Sequence, residues 1–197
     1  MASKTIILVG LGTVGAALAF AVYRQNQLNR QVDDVKASDT VTTINDNFNF
    51  VGNIMDKITT AATGKTRGER NNNPLNIRES KGDTTHWQGE RVTDDDKAFE
   101  EFTHVKFGFR AGARILKSYN RRGINTIHSI VHTFAPTNEN DSNHYADMVS
   151  KWTGISKHLP INVNNNQTVT KILQAMARME VGKQYPFDAV REGVELA

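Results

Sequence analysis

The chain opens with a run that limits its fold more than any other stretch: Thr5 to Tyr23, TIILVGLGTVGAALAFAVY, carries no charge over 19 residues. At 1.5 Å per residue a helix of about 20 residues crosses about 30 Å of hydrocarbon, so this run has the length of a membrane span. Lys4 and Arg24 bracket it, and Tyr23 stands where an interfacial aromatic would. Two other readings compete for the same residues. Gly10, Gly12 and Gly15 spell G-x-G-x-x-G with Asp33 and Asp34 downstream, which imitates a dinucleotide fingerprint. That motif needs parallel βαβ context, and the polar stretch after Arg24, rich in Asn, Asp and Thr, offers no second buried strand. Lys4, the apolar run and Ala19-Phe20-Ala21 also resemble the three parts of a secretory signal. With Met1 retained, the expectation is an uncleaved transmembrane anchor over 1–24. The charges at its two ends nearly balance and leave its orientation open.

Residues 25–66 read as a stalk. Phe48, Val51, Ile54, Met55 and Ile58 fall on one face at helical spacing and predict a short amphipathic helix near its end. Gly64-Lys65-Thr66 looks like the end of a phosphate-binding loop, but Thr59 stands where that motif needs its first glycine. Residues 67–197 carry most of the aromatic side chains and form the expected functional domain. Its pattern is mainly α, with helices expected over Val105 to Arg121, Thr126 to Phe134, Ser142 to Trp152, Thr168 to Val181 and Phe187 to Leu196, separated by Pro136, Pro160 and Pro186. Ile77, Trp87 and Val92, in pieces broken by Gly82 and Gly89, predict a small β-hairpin ahead of them. The absence of cysteine excludes disulfides, thiolate zinc sites and a cysteine nucleophile. A net charge of +3 spread without a basic run gives no reason to expect nucleic acid as a partner.

The stretch Arg67-Gly68-Glu69-Arg70-Asn71-Asn72-Asn73-Pro74-Leu75-Asn76-Ile77-Arg78 resembles the opening of a group of phage virion proteins regarded as peptidoglycan hydrolases of lysozyme-like type. Trp87-Gln88-Gly89, Asp96, Phe99 and Phe102 follow in that family's order. So do Ala135-Pro136, Asn138 to Asp141, Tyr145, and Arg178 with Glu180 and Gly182 before Tyr185-Pro186. Glu69 and Val181 depart from it, since the family often has an aliphatic residue at the first position and Asn at the second. The block from Asn73 to Phe102 also looks like part of the flagellar-type glucosaminidases, and Ala175 to Gly182 is similar to the glutamate helix of soluble lytic transglycosylases. A circularly permuted α+β lysozyme-like fold would reconcile the two likenesses.

Breaking a glycosidic bond takes a carboxylic acid that keeps its proton near neutral pH, which burial provides. On the expected helix Thr168 to Val181, Ile172, Leu173, Met176 and Ala177 make an apolar stripe that continues at Glu180, while Lys171, Gln174 and Arg178 fall elsewhere. The residues alone leave two readings open: an acid catalyst, or a structural glutamate paired with Arg178 or Lys183 or capping a neighbouring helix. The resemblance favours the catalyst. It implies a lytic transglycosylase, in which one Glu serves as acid and then base, or a muramidase with a second carboxylate. Glu139, Asp141 and Asp96 are the candidates for that partner, although Glu139 and Asp141 could equally cap the helix starting near Ser142. Asn73 and Asn76 offer amides to N-acetyl sugars, and Trp87 and Tyr145 offer flat faces. The alternative makes Asn73-Pro74 a turn and both aromatics core. His128 and His132 share a helix face, yet Ser129 replaces the Glu of H-E-x-x-H, and Asp94 to Asp96 lack EF-hand spacing, so no metal and no cofactor is expected. The resulting expectation is a membrane-anchored, virion-associated enzyme cleaving the glycan strand during phage entry. It would sit in the virion membrane as a single-pass protein, with peptidoglycan, the lipid bilayer and other virion proteins as partners. The alternative is a non-catalytic virion protein that binds glycan or serves assembly.

Overall fold

The computed structural model describes residues 51–52, 54–79, 85–93, 95–136 and 141–197. It divides the chain into two compact units, 1–66 and 67–197. In the first, a helix runs over 54–63. Thr59 and Thr63 turn their hydroxyls back onto the carbonyls of Met55 and Thr59, and Gly64 ends the helix at φ 65°.

The second unit is mainly helical. In order it contains α1 (Arg67–Arg70), α2 (Val105–Arg121), α3 (Ile127–Phe134), α4 (Ser142–Thr153), α5 (Asn166–Val181) and α6 (Phe187–Glu195). Side chains mark their starts by satisfying N–H groups that have no partner inside the helix. His104 accepts from Lys106 N at α2, Thr126 and Ser129 close a capping box at α3, Asp141 accepts from His144 N at α4, and Asn165 accepts from Thr168 N at α5. Left-handed glycines, Gly154 and Gly182, end α4 and α5.

Packing follows the apolar stripes. The side chains of Ile172, Leu173 and Met176 on α5 are buried together with Phe109 and Leu116 on α2, Ile130 and Val131 on α3, and Val149 on α4. α6 lies against both α2 and α5. It approaches α2 so closely that a Cβ on Gly193 would stand 2.4 Å from the carbonyl oxygen of Lys106.

Residues 71–102 hold together differently. Antiparallel bridges join Arg78 to Phe99 and Glu90 to Phe102, and asparagine side chains do the rest. The Asn73 amide donates to the carbonyls of Ile77 and Glu100 and accepts from Ile77 N, each at 2.9 Å. Asn72 donates to Phe102 O at 2.9 Å and Asn71 to Asp96 at 2.7 Å.

Two expectations need correction. The fold class expected is a mainly α, α+β lysozyme-like domain behind an N-terminal transmembrane helix; the second unit is mainly helical with isolated bridges among its described residues, and the correction falls on the transmembrane helix. No helix among the described residues is long and apolar enough to cross a membrane. The physical reason is visible in the two longest, α2 and α5: each buries one stripe and carries Lys or Arg on its other side, whereas a span needs about 20 apolar residues all round. The anchor assigned to 1–24, the single-pass virion-membrane location and the lipid contact that rested on it fall on residues outside those described. Among the described residues the pairing also differs from the expected hairpin through Ile77 and Val92. Val92 is fully exposed, and the bridges pair 78 and 90 with 99 and 102, because the backbone of 77–79 finds its partners at 98–100.

Candidate functional site

Glu180 occupies the last turn of α5, where the apolar stripe carries its side chain inward to half-burial. Two side chains from other parts of the fold meet it. The Tyr145 hydroxyl, on α4, lies 2.9 Å from Glu180 Oε1 and 3.3 Å from Met176 O, so one O–H proton serves two acceptors. The Asn76 amide lies 3.3 Å from Oε2 and from the Glu180 backbone oxygen, across 104 residues of sequence.

The local backbone explains how Asn76 arrives there. Asn72 and Asn76 both adopt positive φ, at 50° and 46°, a region that asparagine tolerates better than most residues. Gly68 completes the approach of α1 to the end of α5: a Cβ there would lie 2.5 Å from Val181 and 2.6 Å from Asn76 Oδ1. That Oδ1 is buried without a hydrogen-bond partner, which costs about 1–3 kcal/mol and marks a place where the fold tolerates strain for position.

Burial pushes the Glu180 carboxyl above the ordinary carboxylate range. The Tyr145 and Asn76 hydrogen bonds and the Arg78 charge act against that shift without cancelling it. Burial first, then the charge and hydrogen bond of Glu180, raise Tyr145 well above its usual value and keep it a donor. The group therefore keeps its proton to higher pH than an exposed glutamate would and, once it has given that proton up, settles as a carboxylate between two donors. Those are the two states that acid and base work require.

The other residues singled out from sequence are placed as follows. Asn73 is fully buried and committed to backbone. Tyr145 is 5% exposed, so it offers Glu180 a hydroxyl rather than offering a ligand its ring. Trp87 is half-buried and donates its indole N–H to Glu100 at 3.3 Å. Asp96 clamps Arg67 at 3.1 Å while accepting from Asn71. Asp141 is the exposed N-cap of α4, and Glu139 lies outside the described residues. Neither cation once considered as a structural partner for Glu180 is bound to it in this arrangement. The Arg178 guanidinium lies 4.2 Å over the Trp152 ring, and Lys183 bridges Glu69 at 3.0 Å. Glu69 in turn helps burial to push Tyr185 up to about 12.

His128 and His132 stack with ring centroids 4.1 Å apart, and His158 comes within 5.5 Å from a later loop. Among the described residues no group of three or more His, Asp or Glu is arranged to hold a metal ion. Sequence reasoning passed over Arg78, whose charge reaches Glu180. The available signal was its place two residues after Asn76.

No protein-family model matches the chain. It is similar to Protein P5 of Pseudoalteromonas phage PM2, at 40% identity over 131 residues, which cover 66% of this chain and 80% of that protein. The chain belongs to the family of this phage protein.

Proposed function

We propose that this member of the Protein P5 family is a component of a phage particle, and that its 67–197 unit cleaves the glycan strand of bacterial peptidoglycan there with Glu180 as general acid and base. The family tie to a phage protein supports the first half, with other particle proteins as its neighbours. One observation carries the second: a half-buried carboxyl with a raised pKa, set between a tyrosine hydroxyl and an asparagine amide from distant parts of the chain. The sequence resemblance to phage wall hydrolases supplies the substrate class.

In this reading Glu180 donates its proton to the glycosidic oxygen as the bond to C1 of the muramic acid breaks. The Glu180 carboxylate, steadied by Tyr145 and Asn76, then takes the proton of the sugar's 6-hydroxyl, whose oxygen closes on C1 to give a 1,6-anhydro end. No second carboxylate is required, which agrees with Asp141 and Asp96 being occupied as a helix cap and a loop clamp. A second reading, glycan binding or particle assembly without cleavage, is favoured by the same two donors. They satisfy both carboxylate oxygens in a manner a purely structural glutamate would also adopt.

The test incubates the full-length chain with purified peptidoglycan and identifies released muropeptides by mass spectrometry. Anhydro ends that vanish in Glu180→Gln are expected. Reducing ends would reassign the chemistry to water attack. Retention on insoluble peptidoglycan without release would establish glycan binding without cleavage, and neither retention nor release would leave particle assembly alone.

A further inference from the structure

We infer that the outer face of α2 is a second contact surface, separate from the Glu180 site, which holds the protein on the wall polymer by binding the carboxylates of its stem peptides. The inference rests on the reading of peptidoglycan as the substrate and adds to it a surface that binds without cleaving.

The charge of this chain is unevenly placed. From Phe102 to Asn138 there is no Asp or Glu, while six of the chain's 24 basic residues fall there. The remaining residues hold 18 basic against 21 acidic side chains, so the net +3 of the whole chain arises in this stretch. Lys106, Arg110, Arg114, Lys117 and Arg121 are never adjacent in sequence, which is why they read as dispersed. Steps of three and four residues return to the same side of a helix, so α2 gathers all five into an arc of about 80° along about 22 Å of its length. Gly108, Phe109, Gly112 and Leu116 take the opposite side and are buried. A solvated helix face ordinarily mixes signs, because an acid three or four positions from Lys or Arg adds local support. α2 contains no acid to give it.

The row has two edges. On the inner one α6 holds the cations: Lys106 pairs with Glu192 at 2.7 Å, Arg110 donates to Leu196 O at 3.0 Å, and Lys117 donates to Ala197 O at 3.1 Å. On the outer one Arg114 and Arg121 are exposed, and no carboxylate among the described residues is paired with either. Arg122, the exposed C-cap, lies 4.8 Å over the ring of Tyr119. The turn beyond α2 brings up no opposing charge. Asn125 O accepts from Ile161 N at 2.8 Å, and the loop 154–165 to which Ile161 belongs has no Asp or Glu.

The side chains of the row discriminate among the polyanions that could meet it. Helices that lie on a bilayer place apolar side chains beside their cations, whereas the apolar side of α2 is committed to the core. Surfaces that track nucleic acid add aromatic faces for the bases, and here Phe107 lies over Gly89 and Tyr119 under Arg122. The wall polymer carries its carboxylates sparsely, on flexible peptides, and asks only for cations at intervals. Arg114 and Arg121 stand about 10 Å apart along the helix axis. Each offers a planar fork of N–H donors that serves both oxygens of a carboxylate, and several such weak contacts along one strand reinforce each other. The row also points away from Leu173 of α5, against which Gly112 packs, so a strand held there leaves Glu180 uncovered.

The experiment measures retention of the full-length chain, as Glu180→Gln to prevent turnover, on purified insoluble peptidoglycan at increasing salt. The same material with its carboxyls converted to amides, duplex DNA, and phosphatidylglycerol vesicles serve as comparisons. Retention is expected to weaken about fivefold on the amidated wall, the scale of two exposed charge pairs, and to fall as salt rises. Arg114→Gln with Arg121→Gln should produce the same loss on the untreated wall, whereas Arg114→Lys with Arg121→Lys should keep most of the retention. Both positions are exposed, so the unfolding midpoints of these variants should stay at the native value. With Glu180 intact, the paired Gln variant should release products from short soluble glycan fragments at the native rate. Equal retention on untreated and amidated wall, or retention indifferent to the paired Gln variant, overturns the docking face. So does tighter binding to DNA or to the vesicles that the paired Gln variant loses. Turnover without charge-dependent retention overturns this inference alone, and charge-dependent retention without turnover overturns the catalytic reading alone.

Discussion

Helices α2 to α6 and the segment 67–102 are built by different chemistry, although both belong to the same unit. The helices owe their places to apolar stripes: Ile172, Leu173 and Met176 on α5 close against the buried faces of their neighbours, and polar residues enter chiefly as caps. The 67–102 segment has few buried apolar anchors, mainly Leu75, Ile77 and Phe102. It is ordered by amide side chains that stand in for the backbone partners a sheet would have supplied. A stripe tolerates exchange between similar hydrophobes, because its attraction is non-directional. An amide network does not, because each removed group leaves a buried partner unsatisfied. Glu180 stands where the two kinds of construction meet, with Tyr145 and Asn76 as its contacts on either side.

The sharpest way to break this contrast is to remove one member of each. Leu173→Ala, deep in the helical core at 1% exposure, should cost about 2–5 kcal/mol in denaturant unfolding. Asn73→Ala, with no large apolar surface to lose, should cost about 3 kcal/mol, because it orphans Ile77 N and Glu100 O together and takes from Ile77 O one of its two donors, leaving Glu100 N. The two substitutions should also differ in kind. Leu173→Met should recover most of the loss in the core, whereas Asn73→Asp, the same shape without the amide donors, should recover little in the loop. An Asn73→Ala cost below about 1 kcal/mol would mean that the amides decorate this segment rather than hold it.

The same contrast explains what the sequence disclosed. The helix expected over Val105 to Arg121 is found at those bounds, and the others lie within two residues, because a stripe and a cap are local patterns. Thr126 with Ser129, and Gly182 after Val181, can be recognised without knowing the fold. The inward direction of Glu180 was legible for that reason. Its partners were not. Tyr145 reads equally well as a ring for stacking or as core, and only the crossing of α4 and α5 turns its hydroxyl onto Glu180. Asn73 and Asn76 look interchangeable in a run of asparagines, yet one is walled in by backbone and the other reaches the carboxyl through a left-handed turn. The bridge partners of 78 and 90 were hidden because the pairing is set by side-chain amides rather than by alternating hydrophobicity.

At the junction the contrast can be sharpened through pH. Burial raises the Glu180 pKa, so the folded state prefers the protonated form, and the stability tied to this group is lost as pH rises from about 4.5, the unfolded value, through the higher folded one. Glu180→Gln carries no charge at any pH. Its unfolding midpoint should equal that of the native chain near pH 4 and exceed it by roughly 1–3 °C at pH 7–8. A glutamate held for structure predicts the reverse, a variant that is less stable at neutral pH because Tyr145 and Asn76 lose their charged acceptor. The outcome thus separates a site that tolerates strain for chemistry from a polar link between the two kinds of construction.

The smallest effect belongs to the helical side, at a place where charge rather than packing sets the limit. Desolvation lowers the His128 pKa, and the neighbouring His132, His158 and Lys157 lower it further, while Asp147, paired with Lys157, opposes them. The folded state therefore favours the neutral imidazole. The corresponding stability is present above the unfolded value of about 6.5 and is lost as pH falls through the lower folded one. Protonation would set an imidazolium against the stacked His132 ring and the tilted His158 ring, where the backbone N–H of His128 also holds the 157 carbonyl at 2.9 Å. Loosening should begin in the loop that carries Lys157 and His158, not in the core stripe. Native unfolding midpoints should fall between pH 6.5 and 5 more steeply than those of His128→Gln, and amide exchange at 155–159 should quicken over the same range. Identical slopes in the two proteins would show that the stacked histidines titrate without consequence for the fold.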